Sequence, residues 1–431
     1  MTGSCHLVRA GEVCLLVDCG AVQGDDPLRP MGSWPVRPQD IAYLFLTHAH
    51  VDHCGRVPEL VQAGFQGEIL TTHATKALLG PMLGDALGFT GWSEDEQARV
   101  LARIQEITWG FEYDRDFDLK GGLRFRMGQA GHILGSCFVR IEAEGDAEGP
   151  ASVVFSGDLG PPNTPILPDP AVPAPCDLLV MESTYGDRRH AERGETRVQR
   201  LGEVLSGAIQ DQGKVYIPAF SLGRTQELLY EMDRLFSDPA WQERFPDLAT
   251  RGRPPVFLDS PLALEITRVY AEHAGNWDCE AQELLESGDF PMDFPGLYAV
   301  RSHRDHQRLL AYDGPAVILA GSGMCTGGRI VNHLRQGLED PRKDVLFVGY
   351  QAPGTPGRDL VTYGGQPGGY VVLEGDRVDI RARVHVLTGY SAHADQEDLV
   401  KWARAVGPKR IMLVHGEAGA REALEKRLAG E

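Results

Sequence analysis

The 431-residue sequence predicts an α/β fold on three observations. Short β-branched runs alternate with amphipathic stretches, as strands interleaved with helices do. Polar residues able to do chemistry sit just past the ends of the apolar runs. The length suffices for two domains, or for one domain carrying a large insertion.

Strands are expected at 13–18, 41–47, 152–156, 178–182, 215–219, 256–259, 317–320, 345–349 and 410–414, where β-branched and aliphatic residues run together. Helices are expected at 74–87, 197–211, 225–236, 262–273, 396–405 and 418–428, where apolar residues recur at helical spacing. Five strand ends stand out: Asp18 closes VCLLVD, His48 closes IAYLFLTH, Asp158 follows SVVFSG, Glu182 closes DLLVME and His415 closes IMLVH. Strands often end in polar turns, but five endings with metal-type residues suggest convergence, because open α/β sheets collect ligands at their carboxyl ends.

Composition narrows the class. A hydrophobic content of 42% and a charged content of 24% are ordinary for a soluble globular protein. No apolar run is long enough for a membrane span, and the N-terminus reads poorly as a signal peptide, so the cytoplasm is the default location. The eight cysteines, at 5, 14, 19, 54, 137, 176, 279 and 325, form no CxxC pair and read as reduced, buried, small apolar side chains. A net charge of −19 argues, taken alone, against a nucleic-acid partner. A groove floored by divalent metals and rimmed by a few arginines still attracts phosphate on an acidic protein.

The decisive segment is Thr47-His48-Ala49-His50-Val51-Asp52-His53. Neutral imidazole nitrogen and carboxylate oxygen are the usual ligands of zinc. In an extended loop the alternate residues His48 and His50 point the same way and can grip one ion. Asp52 and His53, past the bend, can turn to a second. The remaining ligands must come from later strand ends, and His132, Asp158 and His415 are the candidates. An aspartate between two such ions bridges them through its two oxygens.

Here the sequence resembles a known family. Asp18, the HxHxDH run of 48–53, His132 in QAGHILGSC and Asp158 in FSGDLG match, in order, the four motifs of the metallo-β-lactamase superfamily. Glu182 in MESTYGD, His393 in GYSAHAD and His415 in LVHGE look like the further motifs of its β-CASP branch, and the phrases at 218–229, 321–329 and 351–360 are similar to β-CASP phrases too. The resemblance implies an αββα sandwich of two mixed sheets, formed by residues 1–185 and 380–431, with an inserted α/β β-CASP cap at 186–379 and the site in the cleft between them. Such a cleft admits a single strand better than a duplex.

It further implies two Zn2+ per chain, one on His48, His50 and His132, the other on Asp52, His53 and His415, with Asp158 bridging. Asp18 would hold a ligand imidazole by its other N–H. His393 would be the general acid, oriented by Glu182, and Asp52 is counted with them among the catalytic residues. In this branch a histidine at the last motif accompanies RNA-acting members and a valine the DNA-acting ones, so His415 points to single-stranded RNA. The expected protein is a zinc-dependent ribonuclease, endonucleolytic, 5′-exonucleolytic or both, and a homodimer is left open.

Other residues carry weaker signals. Ser391 reads either as a phosphate contact or as the N-cap of the helix after it. Arg224, Arg329 and Arg358 each follow a glycine-containing turn and read as phosphate contacts. The eight histidines at 6, 73, 190, 273, 303, 306, 333 and 385 are left as non-ligands. Family members usually place a strand before TGSCHL, which here begins at Thr2, and some carry a further domain after the LVHGE segment. Two rival readings remain, a small-molecule ester or phosphodiester hydrolase of the same superfamily and a non-catalytic RNA-binding subunit. The cap phrases argue against the first, and the seven filled ligand positions against the second.

Overall fold

The computed structural model describes residues 3–22, 34–143, 151–190, 194–249 and 253–430. The chain divides into two compact units, Met1–Arg189 with His393–Glu431, and His190–Ala392.

The first unit holds two sheets. One runs in the order of its strands β1 (His6–Ala10), β2 (Val13–Val17), β3 (Tyr43–Phe45), β4 (Glu68–Thr72) and β5 (Thr108–Phe111). Only the β1–β2 pair is antiparallel; β2 through β5 lie parallel. The other sheet contains β6 (Asp116–Leu119), β7 (Leu123–Gln129), β8 (Cys137–Ala143), β9 (Ser152–Phe155) and β10 (Leu178–Glu182), and ends on the strand Arg410–Val414. Its β6–β9 part is antiparallel, whereas β9, β10 and the last strand are parallel.

Alternation along the strands builds the layers, because successive side chains point to opposite faces. Val139, Phe155 and Val180 face Leu15, Val17, Tyr43, Phe45 and Leu70 of the first sheet. Their neighbours Phe138, Val154, Leu179 and Met181 face Leu399, Trp402, Val406 and Leu424 of the C-terminal helices Gln396–Val406 and Ala418–Ala429. Helices His73–Leu87 and Glu94–Ile107 pack on β4 and β5. The second of these starts with a capping box, Ser93 and Glu96 each satisfying the other's backbone amide. The expected αββα sandwich is therefore observed.

The second unit is built on a six-stranded parallel sheet of β11 (Lys214–Pro218), β12 (Val256–Leu258), β13 (Leu297–Ala299), β14 (Ala316–Ala320), β15 (Asp344–Phe347) and, beyond the hairpin β16 (Tyr370–Leu373) and β17 (Asp376–Asp379), β18 (Arg383–Val386). The order is β13-β12-β14-β11-β15-β18. Tyr216, Ile318, Val345 and Phe347 bury one face against Ile330, Val331 and Leu334 of helix Arg329–Gly337 and Val371, Leu373 and Val378 of the hairpin. The return to the first unit falls at His393, not near 380, because β18 completes this sheet beside β15.

Among the described residues no helix is long and apolar enough to cross a membrane. The uniform reading of the cysteines is corrected: six are buried, but Cys279 is exposed and Cys5 half-buried.

Candidate metal centre

Parallel pairing explains why distant residues meet. The parallel register sets Val17 of β2 beside Phe45 of β3, so Asp18 and the 47–53 turn emerge at one edge. In the other sheet Phe155 lies beside Val180, and Glu182 beside Val414, so Asp158, Glu182 and His415 emerge together. His132 comes from the tight loop joining β7 to β8, where the Ser136 hydroxyl accepts from its amide at 3.0 Å.

Two of these residues hold left-handed backbone, Asp18 at φ 61° and His415 at φ 49°. That costs a non-glycine residue roughly 1–2 kcal/mol, and the contacts of both side chains offset it. Asp18 accepts from the Thr47 amide at 2.8 Å and the Thr47 hydroxyl at 3.0 Å, and its Oδ2 lies 2.7 Å from His53 Nδ1. Its carboxylate thus fixes the tautomer of His53 and leaves Nε2 directed inward. Thr184 Oγ1 lies 3.1 Å from His415 Nδ1.

Inside, the ligand atoms of His48, His50 and His132 lie within 4.8 Å of one another, and so do those of Asp52, His53 and His415. Asp158 stands between the two groups. Its Oδ1 is 3.3 Å from His53 Nε2 and 3.4 Å from His415 Nδ1, while Oδ2 is 3.7 Å from both His48 Nε2 and His132 Nε2. His393 Nδ1 lies 3.2 Å from Glu182 Oε2 and 3.8 Å from Asp158 Oδ2. Glu182 in turn accepts from the Leu159 amide at 2.6 Å and the Thr184 amide at 3.3 Å.

Metal ions fit this donor set. His53 Nε2, His415 Nε2 and Asp158 Oδ1 are buried without a hydrogen-bond partner. An unmet buried polar group costs roughly 1–3 kcal/mol, and three in one cavity are what a cation relieves. Burial pushes His48 and His50 below the ordinary imidazole range, which keeps their lone pairs available. At His393 burial opposes the charge, but the Glu182 and Asp158 carboxylates outweigh it and hold the imidazole at about 9. Burial also works against Asp158, yet the surrounding His415, His53 and His393 keep its carboxyl well below the usual range.

The sequence reading named all seven candidate ligands, and the structure brings them to one cavity. It did not single out Thr47 or Thr184, whose hydroxyls hold the imidazoles; their only signal is adjacency to the HxHxDH and MES segments. Helix Gln396–Val406 is capped by Asp395, which accepts from the amides of Glu397 and Asp398, so the N-cap reading of Ser391 is corrected. Ser391 itself is buried. Arg224 is buried and paired with Glu227. Arg329 donates to Asp259 at 2.8 Å and to the Val300 carbonyl at 2.9 Å, so both guanidinium groups are engaged inside the second unit. Arg358 is half-buried with its guanidinium over the Tyr350 ring. His306 and His333 converge on Asp259 at 2.6 and 2.7 Å. With Arg329 also on that carboxylate, the group is a satisfied hydrogen-bonded network.

Gly20 sets a local constraint on the centre. A Cβ there would sit 1.6 Å from the Asp52 carbonyl oxygen, so the backbone carrying two candidate ligands would have to move. Gly20→Ala is expected to destabilise the protein by at least the ~1–3 kcal/mol of an overpacked core. An unchanged melting curve would show that the close approach is not needed.

Fold and site together define a metallo-hydrolase of the lactamase type. Family profiles match the chain as metallo-beta-lactamase superfamily over residues 1–194, Beta-Casp domain over 225–360, and Zn-dependent metallo-hydrolase RNA specificity domain over 377–431. The chain belongs to the β-CASP branch of the metallo-β-lactamase superfamily. It is 38% identical to ribonuclease TTHA0252 of Thermus thermophilus, over 100% of this chain and 94% of that protein. It is also 30% identical to transcription termination factor FttA of Methanocaldococcus jannaschii, over 96% of this chain and 65% of that protein. Cleavage and polyadenylation specificity factor 73 of Drosophila melanogaster is 29% identical, over 99% of this chain and 60% of that protein.

Proposed function

We propose that the protein hydrolyses phosphodiester bonds of single-stranded RNA with two zinc ions. The observation that carries this reading is the division of Asp158, one oxygen facing His53 and His415, the other His48 and His132. His48, His50 and His132 would hold one ion, Asp52, His53 and His415 the other, and Asp158 both. Bound zinc supplies Lewis acidity, polarising the phosphoryl group and acidifying water.

The chain's own residues do the rest. Asp18 and Thr184 orient His53 and His415 by their Nδ1 atoms. Glu182 holds Nδ1 of His393, leaving Nε2 to deliver a proton to the departing oxygen. Ser391 and Arg358 are the proposed phosphate contacts; Arg224 and Arg329 would first have to leave their carboxylates. RNA as substrate is supported by the RNA specificity profile and by the names of the three relatives, and the 2′-hydroxyl is what such a preference must read.

The test uses matched single-stranded RNA and DNA oligonucleotides, end-labelled, at one salt concentration with zinc-loaded protein. RNA is expected to be cut much faster, and elemental analysis is expected to find close to two zinc ions per chain. Equal cutting of both would discard the RNA assignment. Cutting of neither, with the zinc bound, would put a small-molecule hydrolase in its place.

A further inference from the structure

Helices Glu195–Gln210 and Arg224–Ser237 of the second unit bury a chain of charged groups that ends on Tyr390. The Glu231 carboxylate accepts from Arg197 Nε at 2.7 Å through one oxygen and from the Tyr390 hydroxyl through the other. Arg197 Nη1 lies 3.3 Å from Glu227 Oε1, and Glu227 is paired in turn with Arg224. Arg197, Glu231 and Tyr390 are 5%, 1% and 0% exposed. The two arginines and two glutamates thus balance one another away from water.

The Arg197 guanidinium grips the same turn at two further points. Its Nη1 donates to the Gly389 carbonyl at 3.3 Å, and its central carbon lies 5.4 Å from the centre of the Tyr390 ring. A buried ion pair is seldom worth more than well-packed apolar side chains, and its best-attested use is to fix one arrangement. What it fixes here is the single helical turn Thr388–Tyr390. Only Ser391 and Ala392 separate Tyr390 from His393 along the chain. The other side of His393 is held too. The Ala394 amide donates to the Leu159 carbonyl at 2.7 Å, and the Leu159 amide donates to Glu182, the carboxylate that faces His393 Nδ1. Each chain step spans about 3.8 Å, so a shift at Tyr390 reaches His393 with little slack. A displacement of about 1 Å at a reacting group can cost ~10²-fold in rate.

We propose that Tyr390, held by Glu231 and Arg197, positions the His393 imidazole for proton transfer. The three are positioning residues, acting through the backbone of residues 391–393. The consequence for catalysis rests on the reading of His393 as the proton donor; the anchoring of its imidazole does not.

Tyr390→Phe keeps the ring and removes the hydroxyl from Glu231. In zinc-loaded protein it is expected to lower kcat on single-stranded RNA by about 10- to 100-fold, with KM and zinc content unchanged. A double-mutant cycle locates the effect: in the His393→Ala background the same change is expected to cost nothing further. Nuclear magnetic resonance of isotope-labelled histidine reads the geometry without turnover. The His393 Nδ1–H resonance, assigned by its loss in His393→Ala, is expected to shift and broaden in Tyr390→Phe. It is expected to change less in Glu231→Gln, which still offers the Tyr390 hydroxyl an acceptor. An unchanged resonance would overturn the anchoring, and an unchanged kcat its consequence. Equal losses in both backgrounds would show that Tyr390 does not act through His393. Full activity of His393→Ala would instead remove the proton-donor reading, and the resonance would still decide the anchoring. If Tyr390→Phe failed to fold, Glu231→Gln would carry the same comparisons.

Discussion

Asp158→Ala is expected to lose most of its bound zinc and, with it, RNA cleavage. The carboxylate stands within 3.3–3.8 Å of nitrogens from five imidazoles, those of His53, His415, His48, His132 and His393. Among the described residues no other carboxylate lies within that distance of both groups of histidines. Losing an outer-shell partner of a metal ligand typically costs ~10–100-fold in affinity or activity, and a residue that faces both groups should cost more. Asp158→Asn keeps the shape but carries no charge, so it is expected to fall between the two. Elemental analysis of purified protein gives the zinc content, and circular dichroism shows whether the fold survives. An Asp158→Ala protein with two zinc ions and undiminished cleavage would remove Asp158 from the centre.

Much of this centre was legible before any coordinates, and the reason is local. Parallel strands deliver their carboxyl ends to one edge, so polar residues closing VCLLVD, DLLVME and IMLVH carry their position in the sequence. The HxHxDH turn is legible because its three imidazoles and carboxylate are adjacent. The parts that escaped depend on long-range pairing. Helix Glu94–Ile107 and the antiparallel strands β6–β8 went unassigned, because exposed Asp, Glu and Arg, such as Asp116 paired with Arg126, break up their apolar runs. Strand β18 was taken for the start of the returning domain, since RVHV carries no sign of which sheet it joins.

The arginines show the same limit from the other side. Arg224 and Arg329 follow glycine turns, as phosphate-binding residues often do, but the sequence does not show that Arg224 turns back onto Glu227 or that Arg329 reaches Asp259. His306 and His333 looked inert, and each proves to be buried against that same Asp259. Burial and partner choice are tertiary facts, and a motif reports neither.

His393→Ala is expected to keep its zinc and lose most of its activity. The imidazole stands 3.8 Å from Asp158 Oδ2, and its ligand atom also falls within 4.8 Å of those of His132 and Asp158. Proximity alone therefore admits two roles, metal ligand or proton donor. The partner separates them. His393 Nδ1 faces both oxygens of Glu182, at 3.3 and 3.2 Å, and Glu182 is itself pinned by the Leu159 amide. A nitrogen engaged by a carboxylate carries a proton and is not the atom that binds a cation. In the proposed reaction the opposite nitrogen would serve the substrate, in the manner of a histidine oriented by an acid. General acid catalysis is typically worth ~10²–10⁴-fold, so the loss should fall in that range at saturating RNA, with the zinc content unchanged. Glu182→Gln keeps a hydrogen bond to Nδ1 without the charge and is expected to lose less than His393→Ala. Loss of a zinc ion from His393→Ala would make His393 a ligand, and full activity would take it out of the reaction.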